Sequence, residues 1–366
     1  MYLKLLSILN YKNIEQSESQ FSPKLNCFLG DNGAGKTNLL DAVYYLSFCK
    51  SFFNAIDFQS IRHGADFFIL QGKYSRNEND EIISCGYKAG QQKQFKRNQK
   101  IYKRLSDHIG LFPLVMVSPS DSALIQGGSD ERRRYIDSVI SQYDPVYLDS
   151  LIRYNKALLQ RNNLLKRFAE TGKFDTETLS IYDEQLIIQG NIIFNKRIEF
   201  VNQLIPVFQD FYSTISGGKE QVILEYVSTL HVDDFRTQLE ESIDKDRITQ
   251  FTNVGIHKDD LNLLLGAHPI KKIGSQGQNK TYLVALKLAQ FEFLKQASGI
   301  KPILLLDDIF DKLDSNRVGK IIQLVAEDRF GQIFITDTDR EHLQKLITDM
   351  NIDHAVFTIS DGQISN

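Results

Sequence analysis

Gly30-Asp31-Asn32-Gly33-Ala34-Gly35-Lys36-Thr37 decides the architecture of this chain. These eight residues match G-x-x-x-x-G-K-[ST], the phosphate-loop pattern, at every fixed position. The apolar run Leu25-Asn26-Cys27-Phe28-Leu29 precedes them, and Leu39, Leu40, Val43 and Leu46 follow at helical spacing. This is the strand–loop–helix setting in which the pattern has a mechanism. Glycines let backbone N–H groups turn toward phosphate oxygens, and the N-terminus of the following helix adds positive partial charge. Lys36 has the reach for β- and γ-phosphates, and the Thr37 hydroxyl suits Mg²⁺. The loop expected to bind nucleotide is therefore Gly30, Asp31, Asn32, Gly33, Ala34, Gly35, Lys36 and Thr37, with Asn38 beside it.

Far downstream, Ile303-Leu304-Leu305-Leu306-Asp307-Asp308 describes a buried strand that delivers two carboxylates to its C-terminal end. In an open α/β sheet, ligands bind at that edge. Asp307 is the expected Mg²⁺ ligand, together with Thr37. Asp308 is placed to orient an attacking water, and Lys36, Asp307 and Asp308 form the expected catalytic set.

The rest of the chain alternates strand and helix at both ends. Met1 to Leu6 alternates as a strand does. Residues 67–74 and 81–88 read as strands joined by the polar turn Arg76–Asp80, and 114–117 as another. Ser118-Pro119 has the residues of a helix start. From about 129 to 215 the apolar spacing is helical, with Gly172 at the one obvious break. Strand patterning returns near Gly217-Gly218, followed by a helix over 279–296 and a strand at Gln332–Ile335. The expected organisation is an α/β head in two parts, 1–128 and 217–366, separated by a helical arm at 129–216.

Composition excludes several classes. The 366 residues are 42% apolar and 24% charged, ordinary globular usage rather than that of a disordered chain. No apolar run approaches the roughly 18–20 residues of a membrane span, and the N-terminal stretch lacks the pattern of a secretory signal. Cys27, Cys49 and Cys85 form no CxxC pair and are odd in number, which points to buried thiols in a reducing cytosol. A net charge of −3 leaves nucleic-acid binding to local patches. From Lys88 to Arg104 seven basic residues occur with no acid, and Phe95 and Tyr102 lie among them. A second basic stretch holds Arg153, Lys156, Arg161, Lys166 and Arg167. Solvated faces are the plain alternative for both.

Gly274-Ser275-Gln276-Gly277-Gln278-Asn279-Lys280-Thr281 opens the 279–296 helix. By itself it reads as a capped helix start. In order, though, a phosphate loop, a Ser-x-Gly-Gln about thirty residues before an Asp-Asp strand, and Leu313-Asp314 after it resemble the ABC-type ATPase head. Within that class the chain resembles the RecF family along nearly its whole length. The stretches that carry the resemblance are Asn32–Ala42, Lys50-Ser51-Phe52, Ser118-Pro119 with Arg132-Arg133-Arg134-Tyr135-Ile136-Asp137, Gly255-Ile256-His257-Lys258-Asp259-Asp260, and Leu306–Phe310. Ile256 and Lys258 stand where the family pattern has Pro and Arg. Asp308 stands where most ABC ATPases have Glu, and Thr336-Asp337-Thr338 lacks the His of the usual loop.

The resemblance implies ATP and Mg²⁺ as cofactors and weak DNA-dependent ATP hydrolysis. It implies a head-to-head homodimer in which Ser275, Gln276, Gly277 and Gln278 of one subunit cap the nucleotide of the other. It implies sequence-independent DNA binding, recombinase loading at single-strand gaps with RecR and RecO, and support of replication and the SOS response. Lys96, Arg97, Lys103, Arg104, Arg132 and Arg133 are the candidate DNA contacts, with Arg134 behind them.

Overall fold

A computed structural model describes residues 1–76, 79–218, 220–310, 313–327, 329–338 and 353–365. The N-terminal third runs β1 (Tyr2–Tyr11), β2 (Ile14–Gln20), β3 (Leu25–Leu29), α1 (Lys36–Phe48), β4 (Phe67–Arg76), β5 (Asn79–Lys88), β6 (Gln94–Arg97), β7 (Lys100–Ile101) and β8 (Leu114–Val117). The middle holds α2 (Ser122–Gln126), α3 (Ser129–Ile140), α4 (Pro145–Thr171), α5 (Thr176–Ser216), β9 (Val222–Val227), α6 (Phe235–Glu241), α7 (Ile243–Thr249), β10 (Asp260–Leu265), β11 (His268–Pro269) and α8 (Ile270–Ile273). The last part holds α9 (Gln276–Ser298), β12 (Ile303–Asp307), α10 (Ser315–Ala326), β13 (Ile333–Asp337), β14 (His354–Ser360) and β15 (Gln363–Ser365). Two central residues of the expected Arg76–Asp80 turn, 77 and 78, lie outside the described residues. Ser118-Pro119 opens a 3₁₀ turn rather than an α-helix, and α2 follows it.

The chain forms two compact units. The first is Met1–Asp121, Phe211–Gly218 and Ser275–Asn366, and the second is Ser122–Asp210 and Lys219–Gly274. The first contains two sheets. One is antiparallel, in the order β2-β1-β4-β5-β6-β7, and the other runs β15-β14-β3-β13-β12-β8. In the second sheet β14, β3, β13, β12 and β8 are parallel neighbours, so their C-terminal ends share one edge. β3 is buried at all five positions, as expected for a strand paired on both sides and covered on both faces. Phe28 on β3 stacks on Phe357 of β14, with ring centroids 5.0 Å apart, and on Phe334 of β13, while Phe21 meets all three edge-on.

The sequence reads α1 as amphipathic. In the structure it is buried on nearly every side, with Thr37 and Asn38 the exceptions. The cause is that α1 packs against strands of both sheets, β1, β4 and β5 from one and β8, β12 and β13 from the other. A helix so enclosed carries a fully buried carboxylate, Asp41. Its oxygens accept from Tyr11 Oη at 2.6 Å, Ser51 Oγ at 2.7 Å and the Phe52 N–H at 2.7 Å, and Lys12 Nζ lies 2.7 Å away. Four donors fix the rotation of α1 relative to β1 and the 50–54 segment.

The second unit takes in 219–274 as well as the helices, beyond the 129–216 boundary read from sequence. The reason is pairing and polar ties that local patterning does not reveal. β9, β10 and β11 form their own antiparallel sheet. Buried Arg197 on α5 donates to Asp137 of α3 at 2.8 Å, to Asp259 at 3.1 Å and to the Ile256 carbonyl at 2.8 Å. Tyr226 of β9 donates to the same Asp259. Arg161, read as part of a basic surface stretch, is fully buried and holds Asp183 and Asp246, each at 2.6 Å. The helical break falls at Gly172, which caps α4 in the left-handed conformation.

Asp41→Ala strands the Lys12 ammonium in a nearly closed site. The expected cost is about 3–5 kcal/mol, read as a lowered urea midpoint of the variant against the native chain.

Candidate functional site

The shared C-terminal edge of β3, β13 and β12 lies in the first unit and carries the phosphate loop, Thr336-Asp337 and Asp307-Asp308. Register places Asp307 beside Thr336, and Asp337 beside Leu29, the last residue before the loop. Two segments separated by 270 positions therefore meet: Thr37 Oγ1 donates toward the Asp307 carboxylate, with both oxygens 3.0 Å away. Thr336 Oγ1 donates to Asp307 Oδ1 at 2.8 Å and accepts from the Asp308 N–H at 3.1 Å. Burial raises the Asp307 carboxyl above its ordinary pKa, and hydrogen bonds from Thr336 and Thr37 oppose that shift.

The loop is shaped by its neighbours. Gly35, the N-cap of α1, has φ +118°, and a Cβ there would lie 2.8 Å from the Asn13 side chain. Asn13, in the β1–β2 turn, donates to the Ala34 carbonyl at 3.1 Å and accepts from Asn38 Nδ2 at 2.7 Å. The Gly362 N–H, between β14 and β15, donates to the same Ala34 oxygen at 2.9 Å. Lys36 curls back so that its ammonium donates to the Gly30 and Asp31 carbonyls at 2.7 and 3.1 Å. An ammonium has three donors, so Lys36 is held over the loop with capacity for a phosphate oxygen.

Asp308 adopts φ +45°, an uncommon conformation for a non-glycine residue at a strand end. Both of its backbone groups are tied, the N–H to Thr336 and the carbonyl to Lys280 Nζ at 3.0 Å. Lys280 lies on α9, whose start is the Ser275–Gln278 segment. That segment forms a full capping box. Ser275 Oγ accepts from the Gln278 N–H at 3.2 Å, and Gln278 Oε1 accepts from the Ser275 N–H at 2.8 Å. Arg317 of α10 braces it, donating to the Gly277 carbonyl at 3.1 Å and to Thr281 Oγ1 at 2.6 Å. The capped start and the signature-like segment are thus one feature, with Ser275 and Gln276 exposed at its tip.

The residues fit Mg²⁺ with a nucleotide. Adjacent ligands of an octahedral Mg²⁺ at about 2.1 Å lie about 3 Å apart, which is the separation of Thr37 Oγ1 from the Asp307 oxygens. Among the described residues no group of three or more His, Cys, Asp or Glu side chains could cage a metal, and Mg²⁺ with one or two protein ligands takes the rest from phosphates and water. Asn13 and Arg317 were not foreseen from sequence, and Thr336 and Lys280 lay in stretches singled out there without a role of their own. A single Asn in a turn or Thr in a strand carries no spacing signal.

The candidate DNA contacts fare unevenly. Arg97 makes a two-point pair with Glu81, and Arg132 one with Asp260. Arg133 donates to Asp130 and to the Asp259 carbonyl, and Arg104 pairs with Asp107 at 3.0 Å. Lys103 is exposed, and Lys96 lies half-buried on β6. Phe95 is buried and Tyr102 packs near it and His108, so these aromatics belong to the core rather than to a stacking surface. The three cysteines are buried and free. Among the described residues no helix is long and apolar enough to cross a membrane.

Asn13→Ala removes two braces from the loop while leaving the cores intact. Nucleotide affinity is expected to fall about tenfold, with little change in urea midpoint. Titration of a fluorescent ATP analogue checks it, and unchanged affinity would remove Asn13 from the site.

Residues 2–360 match the family described as RecF/RecN/SMC N terminal domain. A DNA replication and repair protein RecF from Phocaeicola vulgatus is 58% identical over 100% of this chain and 98% of its own length. A protein of the same name from Flavobacterium johnsoniae is 51% identical over 98% of this chain and 100% of its own. A solved structure of the recombination mediator protein RecF with ATP, in the RecFOR pathway, superposes with a TM-score of 0.89 at 30% identity, covering 100% of this chain and 97% of that one. An Smc head from Pyrococcus furiosus, at 16% identity and TM-score 0.60, shares the fold. With that fold, a family match from end to end and relatives above half identity, the chain is a member of the RecF family of ABC-type ATPase heads.

Proposed function

We propose that the chain is an ATP-dependent DNA-binding protein of recombinational repair, acting in the cytoplasm as an ATP-gated dimer that grips DNA independently of sequence. The observation that carries this reading is the meeting of Thr37 with Asp307 at the edge of the parallel sheet, beside a braced phosphate loop. In this reading Lys36 and the loop N–H groups hold the β- and γ-phosphates, and Thr37 and Asp307 hold Mg²⁺. Bound ATP–Mg²⁺ supplies the γ-phosphate charge that a second subunit can recognise. Asp308, pinned through both backbone groups, orients the attacking water. Ser275 can serve across the dimer while capping its own helix, because a hydroxyl accepting from the Gln278 N–H keeps its proton to donate. Hydrolysis removes the contact that joins the subunits, so turnover acts as a timer on DNA. RecR and RecO are the proposed partners in loading recombinase at single-strand gaps, in support of replication and the SOS response.

Light scattering with and without ATP–Mg²⁺ is the direct test. The native mass is expected to double with nucleotide, and Lys36→Met and Ser275→Arg to abolish the doubling. A native chain that stays monomeric throughout would sink the trans-capped clamp. Weak hydrolysis is attributed to the shorter reach of Asp308, so Asp308→Glu should raise the steady-state rate severalfold. An unchanged or lower rate would reject that cause.

A further inference from the structure

Two segments that the nucleotide site does not use, 132–137 and 255–260, meet in the second unit around an open cleft of about 590 Å³. The 255–260 segment is turned inward almost throughout. Gly255 has φ +112°, and a Cβ there would stand 2.4 Å from Phe235 and 2.7 Å from the Tyr154 hydroxyl. His257 donates from Nε2 to the Thr252 carbonyl at 3.0 Å, so its Nδ1 accepts from Tyr154 Oη at 2.8 Å. Burial lowers its pKa to about 4, and the ring is neutral at pH 7. Asp259 is taken by Arg197 and Tyr226, and Asp260 by Arg132. The exception is Lys258. It is exposed on the cleft wall, and no ion pair engages it among the described residues.

Arg133 and Arg134 from α3 and the exposed Asn155 from α4 line the same cleft as Lys258. Two carboxylates also line it. Asp137 is already neutralised by buried Arg197 at 2.8 Å. Asp130 is a largely exposed partner of Arg133, and Arg134 pairs at the surface with Glu131. The Arg134–Glu131 pair is solvent-exposed and weak enough for an incoming anion to displace, whereas Arg133, also tied to the Asp259 carbonyl, stays in place and lends the wall its charge. The volume exceeds what one phosphate fills and suits a run of sugar–phosphate units.

We propose that this cleft, with Lys258, Arg133, Arg134 and Asn155, is a binding site for the phosphodiester backbone of nucleic acid. It rests on the DNA-binding reading above and centres the contact on Lys258, which no ion pair engages among the described residues, and on Arg134, whose one pair with Glu131 lies at the surface. Phosphate contacts from these side chains position the backbone and read no sequence.

The test uses the full chain with ATP–Mg²⁺ and a fluorescein-labelled duplex, followed by anisotropy between about 50 and 200 mM salt. Lys258→Gln and Arg134→Gln are each expected to weaken binding about fivefold and to flatten the log–log salt slope by about 0.9, the value for one lost phosphate contact. Lys258→Arg should keep native affinity. In a lysine-acylation footprint read by mass spectrometry, the duplex should protect Lys258. Native affinity and slope in both Gln variants, with Lys258 still acylated in the complex, would overturn the proposal and leave DNA binding itself standing. Protection of Lys258 by inorganic phosphate alone, with duplex binding unaffected in the variants, would assign the cleft to a free anion instead. A native chain that binds no nucleic acid would bring down both readings.

Discussion

The enclosure of α1 between two sheets is the constraint on which the nucleotide site depends. Its first two residues are Lys36 and Thr37, so the aim of both side chains follows from how the rest of the helix packs. Leu39, Leu40, Val43 and Leu46 leave no freedom to slide, because neighbours press on the helix from both sheets. Asp41 removes the remaining freedom to rotate. The opposite wall is fixed just as firmly, since β12 joins β13 and β13 joins β3 in one parallel array. A hydroxyl and a carboxylate 270 residues apart can meet at hydrogen-bond distance only because both supports are rigid.

The phosphate loop, the buried strands and the helical arm were legible in the sequence because each is announced within a dozen residues. β3 is bounded as read, and α1 carries Leu39, Leu40, Val43 and Leu46 as their spacing suggests. The all-round burial of α1 was not legible, since Tyr44, Tyr45 and Ser47 do not distinguish a second packing face from solvent. The 222–274 region was missed as part of the second unit for a related reason. Its strands and helices are short, and what assigns them is pairing with one another and ties to Arg197.

Charged residues were the least legible. A basic run in sequence reports density of charge and says nothing of partners. Arg132 meets its carboxylate 128 positions away, and Arg161 meets Asp246 at a separation of 85. Removing either partner of the fully buried Arg161–Asp246 pair leaves an uncompensated charge, and the two-point Arg132–Asp260 pair is half-buried, so both arginines hold segments together. Lys258 is the converse case. In sequence it is notable only for standing where the family pattern has Arg, and in the structure it is exposed while His257, Asp259 and Asp260 beside it are engaged.

The strand order has a consequence for how the chain is made. β3 pairs on one side with β13 and on the other with β14, both more than 300 residues downstream. At about 5–20 residues per second of synthesis, β3 waits roughly 15–60 s before either neighbour leaves the ribosome. The antiparallel sheet pairs residues 2–101 and can form early, and the second unit closes within 122–274. The phosphate-loop strand, buried at all five positions in the finished fold, thus stays uncovered until both of those strands have been made. Over that interval it is a natural client for a holding chaperone.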